Sequence, residues 1–323
     1  MAKRLRDVTL RQLRALSALA AGGSISAAAG RLNLTQPAVT QQLHALQALA
    51  GQTLLQRTSS GMMLTVAGRE ILTLFDRIQV AIDACEASLD MIAGRSGGRV
   101  AIGAVSTAKY FVPFAIAAFS KLYPQIQVSL FIGNRQEICQ SLHGYELDVV
   151  IMGRPPQDMD ITQSLIGDHP HVIIAPAGHR LAGAARLETT DLAQETLLTR
   201  ELGSGTRTLM EQLFTHAVPR PRIGVELNSN ESIKQAVIAG LGIAFISAHA
   251  VANEVADGRL VILNVAGLPI VRQWYVVRRA DKVLLPPAQA MLEFLCRRGA
   301  DFLPATPAMI SGLAAARSDM LTQ

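Results

Sequence analysis

Two turns in the second half of the sequence place hydroxyls, glycines and a cation where a predicted helix begins. The first is AVSTAKY, in which Ser106 and Thr107 offer hydroxyl and N–H groups and Lys109 adds a positive charge. The second is LGSGTR, whose candidate ligand-binding residues are Gly203, Ser204, Gly205, Thr206 and Arg207. Helix N-termini favour anions, and glycines allow a backbone to fold into an anion-binding nest. These turns predict a site for a small anion, with simple helix capping as the alternative.

Two arginines follow further predicted strands, Arg135 in GNRQE and Arg154 in MGRPP. Ligands of open α/β sheets bind beyond the carboxyl ends of the strands, so we expect both arginines in the same cleft as the two turns. An ordinary surface charge is the alternative for each. The GSGT turn is not a nucleotide P-loop, because the lysine of that motif is absent.

Residues 33–46, NLTQPAVTQQLHAL, are predicted to form a helix with an uncharged polar face. Val39, Leu43 and Leu46 recur at helical spacing and form an apolar stripe. The opposite face carries Pro37, Thr40, Gln41 and His44. Proline is tolerated in the first helical turn because the N–H groups there have no intrahelical partner. A face of neutral donors and acceptors is suited to reading base edges in DNA, whereas an ordinary solvated face would carry Lys and Glu.

The elements around this helix predict a DNA-binding head. Residues 9–21 have a helical pattern, and either Ser24 or Ser26 begins a short Ala-rich helix, SAAAGRL. A short turn joins this second helix to the polar helix, which is the helix-turn-helix plan. QTLLQRTSSGMMLT then predicts two short strands, a wing whose Arg57 would contact the phosphate backbone. The other predicted phosphate contacts are Arg4, Arg6 and Arg31.

The positive charge of the chain is concentrated in this head. Residues 1–69 hold eight Lys or Arg and one acid, a net charge of +7, whereas the whole chain carries +5 and residues 70–323 therefore −2. A basic module on a mildly acidic body indicates nucleic-acid binding.

Residues 65–94 are predicted to form one long helix whose apolar stripe includes Phe75 and Ile82, and we expect it to pair with a second copy. Packing within the body of the protein is the alternative.

RSGGR at 95–99 is predicted to be a hinge. Strands and helices then alternate in two sets, 100–168 and 170–265, with a returning strand at WYVVRR, which predicts α/β structure with mostly parallel sheets.

Several classes of protein are disfavoured. No apolar run is long enough to span a bilayer, and the N-terminus lacks a signal peptide's apolar region, so we expect a cytoplasmic protein without a membrane partner. The three cysteines are scattered and form no CxxC pair, which argues against structural disulfides and a thiolate metal site. No catalytic or metal-binding motif is present, so we expect no catalytic residues. His169 and His171 flank Pro170 and are interpreted as loop or hinge residues.

The segments LTQPAVTQQLHAL, LLQRTSSGMMLTVAG, GSGTR and AVIAGLGIAF together resemble the LysR-type transcriptional regulators over nearly the whole chain. VSTAKYF, GNRQEI, DVVIMGRPP and the pairing of GSGTR with ELNSNESIKQAV are most similar to regulators of RuBisCO (Calvin-cycle) operons. The resemblance implies an α+β multidomain fold. It would consist of a winged helix-turn-helix, a linker helix that dimerises, and two α/β subdomains like those of periplasmic binding proteins.

The resemblance also implies boundaries and partners. The DNA-binding domain would be 1–65, the linker helix 66–95, and the effector-binding domain 96–303, followed by a tail at 304–323. Subdomain I would comprise 98–168 and 271–303, and subdomain II 169–270. The DNA-contact positions would be Gln36, Pro37, Thr40 and Gln41, and the effector positions would lie on the VSTAK and GSGTR turns.

The leading hypothesis is therefore an activator of carbon-fixation genes. We expect it to form a homodimer or homotetramer, to bind double-stranded operator DNA, and to contact RNA polymerase. Its effector would be a small anion, such as a phosphorylated metabolite or NADPH, and we expect no cofactor besides this effector. The alternatives are a LysR-type regulator of an unrelated pathway, a solute-binding protein, and an enzyme fused to a DNA-binding head. The missing signal peptide and the basic head argue against a solute-binding protein, and the missing catalytic pair argues against an enzyme.

Overall fold

The structure is a computed structural model that describes residues 5–58, 61–92, 97–215 and 218–305. The chain divides into two compact units, one up to Leu89 and one from Asp90 onward. Four predicted features lie outside the described residues: Arg4, the turn residues of the wing at 59–60, the start of the hinge at 95–96, and the tail from 306.

The first unit is a helix-turn-helix followed by a two-stranded wing and a long helix. Its elements are α1 (Leu10–Gly22), α2 (Ile25–Leu32), α3 (Gln36–Ala50), β1 (Leu55–Thr58), β2 (Gly61–Leu64) and α4 (Val66–Ile92). Each of the first three helices begins at a hydroxyl cap; in α3 the Oγ1 of Thr35 accepts a hydrogen bond from the N–H of Ala38. Pro37 lies in the first turn of α3, as predicted.

Apolar faces of all four helices form the core of this unit. Val39, Leu43 and Leu46 of α3 are buried there, which confirms the predicted stripe. Ile71 and Phe75 of α4 belong to the same core. The expectation that Phe75 is part of a seam for a second copy is therefore wrong, because that side chain is already covered within its own unit.

The second unit contains a nine-stranded sheet with helices packed against it. Its strands are β3 (Arg99–Val105), β4 (Gln127–Gly133), β5 (Val149–Met152), β6 (Ile161–Pro176), β7 (Thr196–Arg200), β8 (Arg222–Leu227), β9 (Ile243–Ser247), β10 (Leu260–Leu263) and β11 (Ile270–Arg279). Its helices are α5 (Val112–Leu122), α6 (Arg135–His143), α7 (Gly205–Leu213), α8 (Asn230–Ile238), α9 (Ala252–Ala256) and α10 (Pro286–Arg298).

The order of strands in the sheet is β4-β3-β5-β11-β6-β9-β7-β8, with β10 pairing to β6. Strands β3, β4 and β5 are parallel to one another and form lobe I with α5, α6 and α10. Strands β7, β8 and β9 are also parallel and form lobe II with β10, α7, α8 and α9. The antiparallel pair β6 and β11 lies between them and runs through both lobes. Both α/β subdomains and the returning strand are thus as predicted.

Two local predictions were wrong. His169, Pro170 and His171 lie within strand β6 rather than in a loop. The helix expected to begin at Thr107 begins only at Val112, because Pro113 occupies its first turn and residues 108–110 form a separate 3₁₀ turn. No helix within the described residues is apolar enough over sufficient length to cross a bilayer.

Candidate effector cleft and DNA-binding surface

A cleft lies where the carboxyl ends of strands from both lobes meet. Its wall is formed by Val105, Ser106, Thr107, Asn134, Arg135, Gly153, Arg154, His169, His171, Ser204, Gly205, Thr206, Leu209, Gln212 and Arg272. Seven of the residues predicted from the sequence are among them: Ser106, Thr107, Arg135, Arg154, Ser204, Gly205 and Thr206. The topology explains this, since parallel strands in each lobe deliver their following turns to one edge.

The hydroxyls of Thr107 and Ser204 face this cleft without serving as helix caps. Thr107 is the residue before the 3₁₀ turn and Ser204 the residue before α7, yet neither side chain makes a capping hydrogen bond. Both residues are buried. Their hydroxyls are therefore not used as helix caps, which counts against the capping alternative and is compatible with ligand binding.

Three arginines, Arg135, Arg154 and Arg272, line the cleft. Arg135 donates from Nε to the backbone carbonyl of Arg154 at 3.1 Å, which holds the Arg135 side chain against the turn after β5. None of the three forms an ion pair with any described residue, and no carboxylate belongs to the wall. The cleft therefore carries uncompensated positive charge.

Lys109 and Arg207 do not converge on this cleft, contrary to the expectation from the sequence. Lys109 forms an ion pair with Glu231 of α8 at 2.8 Å. Arg207 binds Glu211 at 2.9 Å and also Glu226, and hydrogen bonds to these carboxylates raise its pKa. Neither cation belongs to the cleft wall, and both are neutralised by acids that do not belong to it either.

Gly203 also lies outside the cleft wall. It has a positive φ of 86°, which a glycine adopts without strain, and its carbonyl accepts a hydrogen bond from the N–H of Gln136 at 3.3 Å. A Cβ at this position would approach the side chain of Gln136 to 2.7 Å. Gly203 thus holds the turn before α7 against α6 of the other lobe.

Arg200 is a functional candidate that the sequence did not suggest. Its side chain is 3% exposed at the end of β7. It donates to both carboxylate oxygens of Glu201, to the side chain of Asn230, and across the lobes to Oγ of Ser106 at 3.3 Å. Arg200 therefore positions one of the cleft hydroxyls from behind.

Three buried histidines and a tryptophan lie beside the cleft, where β6 and β11 pass between the lobes. The ring of His169 stacks on Trp274 at a centroid distance of 3.8 Å and contacts His171 at 4.2 Å. Trp274 donates from Nε1 to Nδ1 of His249 at 3.2 Å. Burial lowers the pKa of His171 and of His249 to about 4, and lowers that of His169 well below its ordinary value. All three rings are therefore neutral at pH 7.

On the first unit, the polar face of α3 is turned to the solvent. Gln36, Pro37, Gln41 and His44 are exposed and Thr40 is half-buried. Arg31 at the end of α2 and Arg57 on β1 are exposed as well, as is Arg6. Neutral side chains thus occupy the helix surface and cations flank it, an arrangement suited to base contacts from the helix and phosphate contacts from its surroundings.

Two family models match the chain in succession. Residues 10–69 match the bacterial regulatory helix-turn-helix protein of the lysR family, and residues 93–300 match the LysR substrate binding domain. The chain is 49% identical to the HTH-type transcriptional regulator CbbR of Xanthobacter flavus, over 93% of this chain and 90% of that protein. It is 39% identical to the RuBisCO operon transcriptional regulator of Allochromatium vinosum, over 91% of this chain and 97% of that protein.

Solved structures give the same assignment. The regulatory domain of Synechocystis PCC6803 CcmR, solved in complex with 2-PG, is 38% identical and superposes with a TM-score of 0.60, covering 62% of this chain and 96% of that chain. The fold also matches that of CbnR, a LysR family transcriptional regulator, at 23% identity and a TM-score of 0.62 over 90% of this chain and 99% of that chain. From its two matched domains and its relatives, the chain belongs to the LysR family of transcriptional regulators.

Proposed function

We propose that this LysR-type regulator controls RuBisCO-type carbon-fixation genes in response to a small anionic metabolite bound in the cleft. The observation that carries the proposal is the convergence of three unpaired arginines and two hydroxyls that are not used as helix caps on one cleft. The names of its relatives support the choice of target genes, and the 2-PG complex of the CcmR regulatory domain supports the choice of ligand class.

The cleft favours anions for two independent reasons. Arg135, Arg154 and Arg272 contribute three formal positive charges, and the wall includes no acid to balance them. The N-terminus of α7 adds about half a positive charge through its aligned peptide dipoles. Hydroxyls of Thr107, Ser204 and Thr206 can then orient the anion, since charge-assisted hydrogen bonds are the stronger ones.

We further propose that α3 enters the major groove of double-stranded operator DNA. Gln36, Pro37, Thr40, Gln41 and His44 would face the base edges, while Arg31 and Arg57 would bind phosphates. The protein would act in the cytoplasm as a homodimer or homotetramer and would activate transcription by contacting RNA polymerase. The DNA-binding domain would comprise residues 1–65, the linker helix 66–95 and the effector-binding domain 96–303.

Calorimetry with the full chain tests the ligand class. Titrants are 2-PG, phosphoglycerate, phosphoenolpyruvate, sugar phosphates and NADPH, with neutral and aromatic compounds for comparison. Arg154→Gln should raise the Kd of the bound anion about tenfold or more, because a hydrogen bond to a charged group contributes about 1.5–3 kcal/mol. Arg207→Gln is the matched control, since that cation lies outside the cleft wall, and its Kd should stay within about twofold of the wild type.

Binding of neutral or aromatic compounds alone would show that the cleft does not select anions. A gel-shift titration with DNA upstream of RuBisCO genes, with and without the bound anion, tests the target. Anion binding without recognition of that DNA would favour a LysR-type regulator of an unrelated pathway.

A further inference from the structure

The ring of His169 has one nitrogen bonded and one without a partner. Its Nε2 lies 3.0 Å from Oγ of Ser247, while Nδ1 is buried and has no hydrogen-bond partner among the residues that the structure describes. Buried polar groups are nearly always paired, and leaving one unpaired lowers stability, so such an atom requires an explanation.

The bond to Ser247 identifies which nitrogen of His169 carries the proton. Ser247 is fully buried, and among the described residues its side chain bonds only to His169. A buried hydroxyl hydrogen needs an acceptor, so Oγ–H of Ser247 donates to Nε2 of His169. Since the ring is neutral, its proton is then on Nδ1. The unpaired atom is a hydrogen-bond donor.

This donor lies at the wall of the cleft. His169 and Gly153 both line it, and a Cβ added to Gly153 would approach Nδ1 of His169 to 2.7 Å and its Cε1 to 3.3 Å. A side chain at position 153 would therefore press on Nδ1, whereas glycine makes no such contact. The side chain itself is 4% exposed and is held by its stack on Trp274, so its direction is fixed.

We propose that His169 determines effector specificity by donating from Nδ1–H to an anionic oxygen, of a carboxylate or a phosphate, at the inner end of the ligand. This inference rests on the proposed anion-binding function of the same cleft. The arginines at 135, 154 and 272 attract any anion, whereas His169 selects those that also place an acceptor oxygen against Gly153. A ligand that places an apolar or donor-only group there leaves the donor unpaired and binds more weakly.

Two substitutions at His169 separate this hydrogen bond from the packing of the ring. His169→Asn keeps an amide N–H near the position of Nδ1 and loses the bond to Ser247, whereas His169→Gln keeps a polar group near Nε2 and loses the donor at Nδ1. Both remove the stack on Trp274, so their packing losses are matched. The full chain is titrated calorimetrically with 2-PG, and with inorganic phosphate as a second probe.

With 2-PG, His169→Gln should bind about tenfold or more weakly than His169→Asn. Equal affinities of the two variants, or wild-type affinity of His169→Gln, would overturn the proposal, because packing alone would then account for the residue.

Gly153→Ala provides a second test that leaves the histidine in place and that stands even if His169→Gln fails to fold. Its methyl group occupies the space beside Nδ1, so 2-PG should bind about tenfold or more weakly. Gly183→Ala is its control, because a Cβ there meets nothing within 4 Å. Wild-type affinity of Gly153→Ala would overturn the proposal.

If the wild-type chain itself binds no anion, the proposed function fails together with this inference, whereas anion binding that is insensitive to these variants refutes the inference alone.

Discussion

Replacing Arg200 by methionine should destabilise the effector-binding unit more than any single change in the exposed ion pairs. Arg200 makes two bonds to Glu201, at 2.7 and 2.8 Å, and the two side chains are 3% and 18% exposed. Methionine keeps much of the apolar stem but leaves the carboxylate of Glu201 largely buried without its partner. Breaking one side of a buried pair costs about 3–5 kcal/mol, and the partial exposure of Glu201 favours the lower end of that range.

A double-mutant cycle tests whether the unpaired charge is the cause. Glu201→Gln removes the charge, so Arg200→Met combined with Glu201→Gln should recover most of the loss of Arg200→Met alone. An exposed pair provides the comparison: Glu293→Gln, which removes an i,i+4 contact to Arg297 at 3.6 Å, should change the free energy of unfolding by about 0.2–1 kcal/mol or less.

Urea unfolding of the full chain followed by tryptophan fluorescence provides the measurement. Trp274 is the one tryptophan of the sequence, and it is fully buried in the same unit as Arg200. The signal therefore reports this unit and not the DNA-binding head. A loss below about 1 kcal/mol for Arg200→Met, or a double variant no more stable than that single variant, would refute the reasoning.

Three further outcomes are expected. As the pH falls from about 6.5 to about 4, histidines of the unfolded chain bind protons, whereas the buried rings of His171 and His249 stay neutral. The free energy of unfolding should therefore fall by about 1.4 kcal/mol per pH unit for each ring. His249→Gln should reduce that slope in urea titrations. Thr40→Ala should reduce discrimination between operator and random DNA by about 1–3 kcal/mol in gel shifts, whereas Arg57→Ala should weaken binding to every duplex alike. Unchanged discrimination in Thr40→Ala would argue against α3 as the recognition helix. Phe75→Glu should unfold the head, since the ring is 7% exposed in its core, and a variant that keeps the wild-type melting temperature would contradict that packing.

The polar helix could be predicted from the sequence because its determinants are local. A proline in the first turn and apolar residues at helical spacing both act within fifteen residues, and α3 has each of them where it was expected. The two turns that are predicted to bind a ligand can likewise be recognised from their own residues, since hydroxyls and glycines between a strand and a helix serve either helix capping or ligand binding.

The cations of the cleft could not be assigned in the same way, because their partners are distant in sequence. Lys109 is neutralised by Glu231 and Arg207 by Glu226, which lie on other elements. Only Glu211, on the same helix as Arg207, is a partner that the local sequence places nearby. Arg272, which is unpaired within the described residues, enters the cleft only because β11 returns from lobe II to lobe I.

Pro170 explains why the sequence around His169 and His171 predicts a loop. Proline is rare within strands because it cannot donate to the ladder. It is tolerated here because β9 pairs with β6 only from His171 onward, so the second edge of the strand is still open at Pro170. A long strand that passes between two lobes has such a position, and the sequence around it looks like a break.

The continuous pairing of β6 with β11 restricts how the two lobes can move. Ten residues of β11 are in register with β6 across the passage between the lobes, interrupted by a shift between Trp274 and Tyr275. Translation of one lobe along this ribbon would break its whole ladder of hydrogen bonds, whereas twisting or bending it would break almost none. The β6–β11 ribbon therefore allows the lobes to rotate but not to slide. A ligand held between the lobes would change the angle between them.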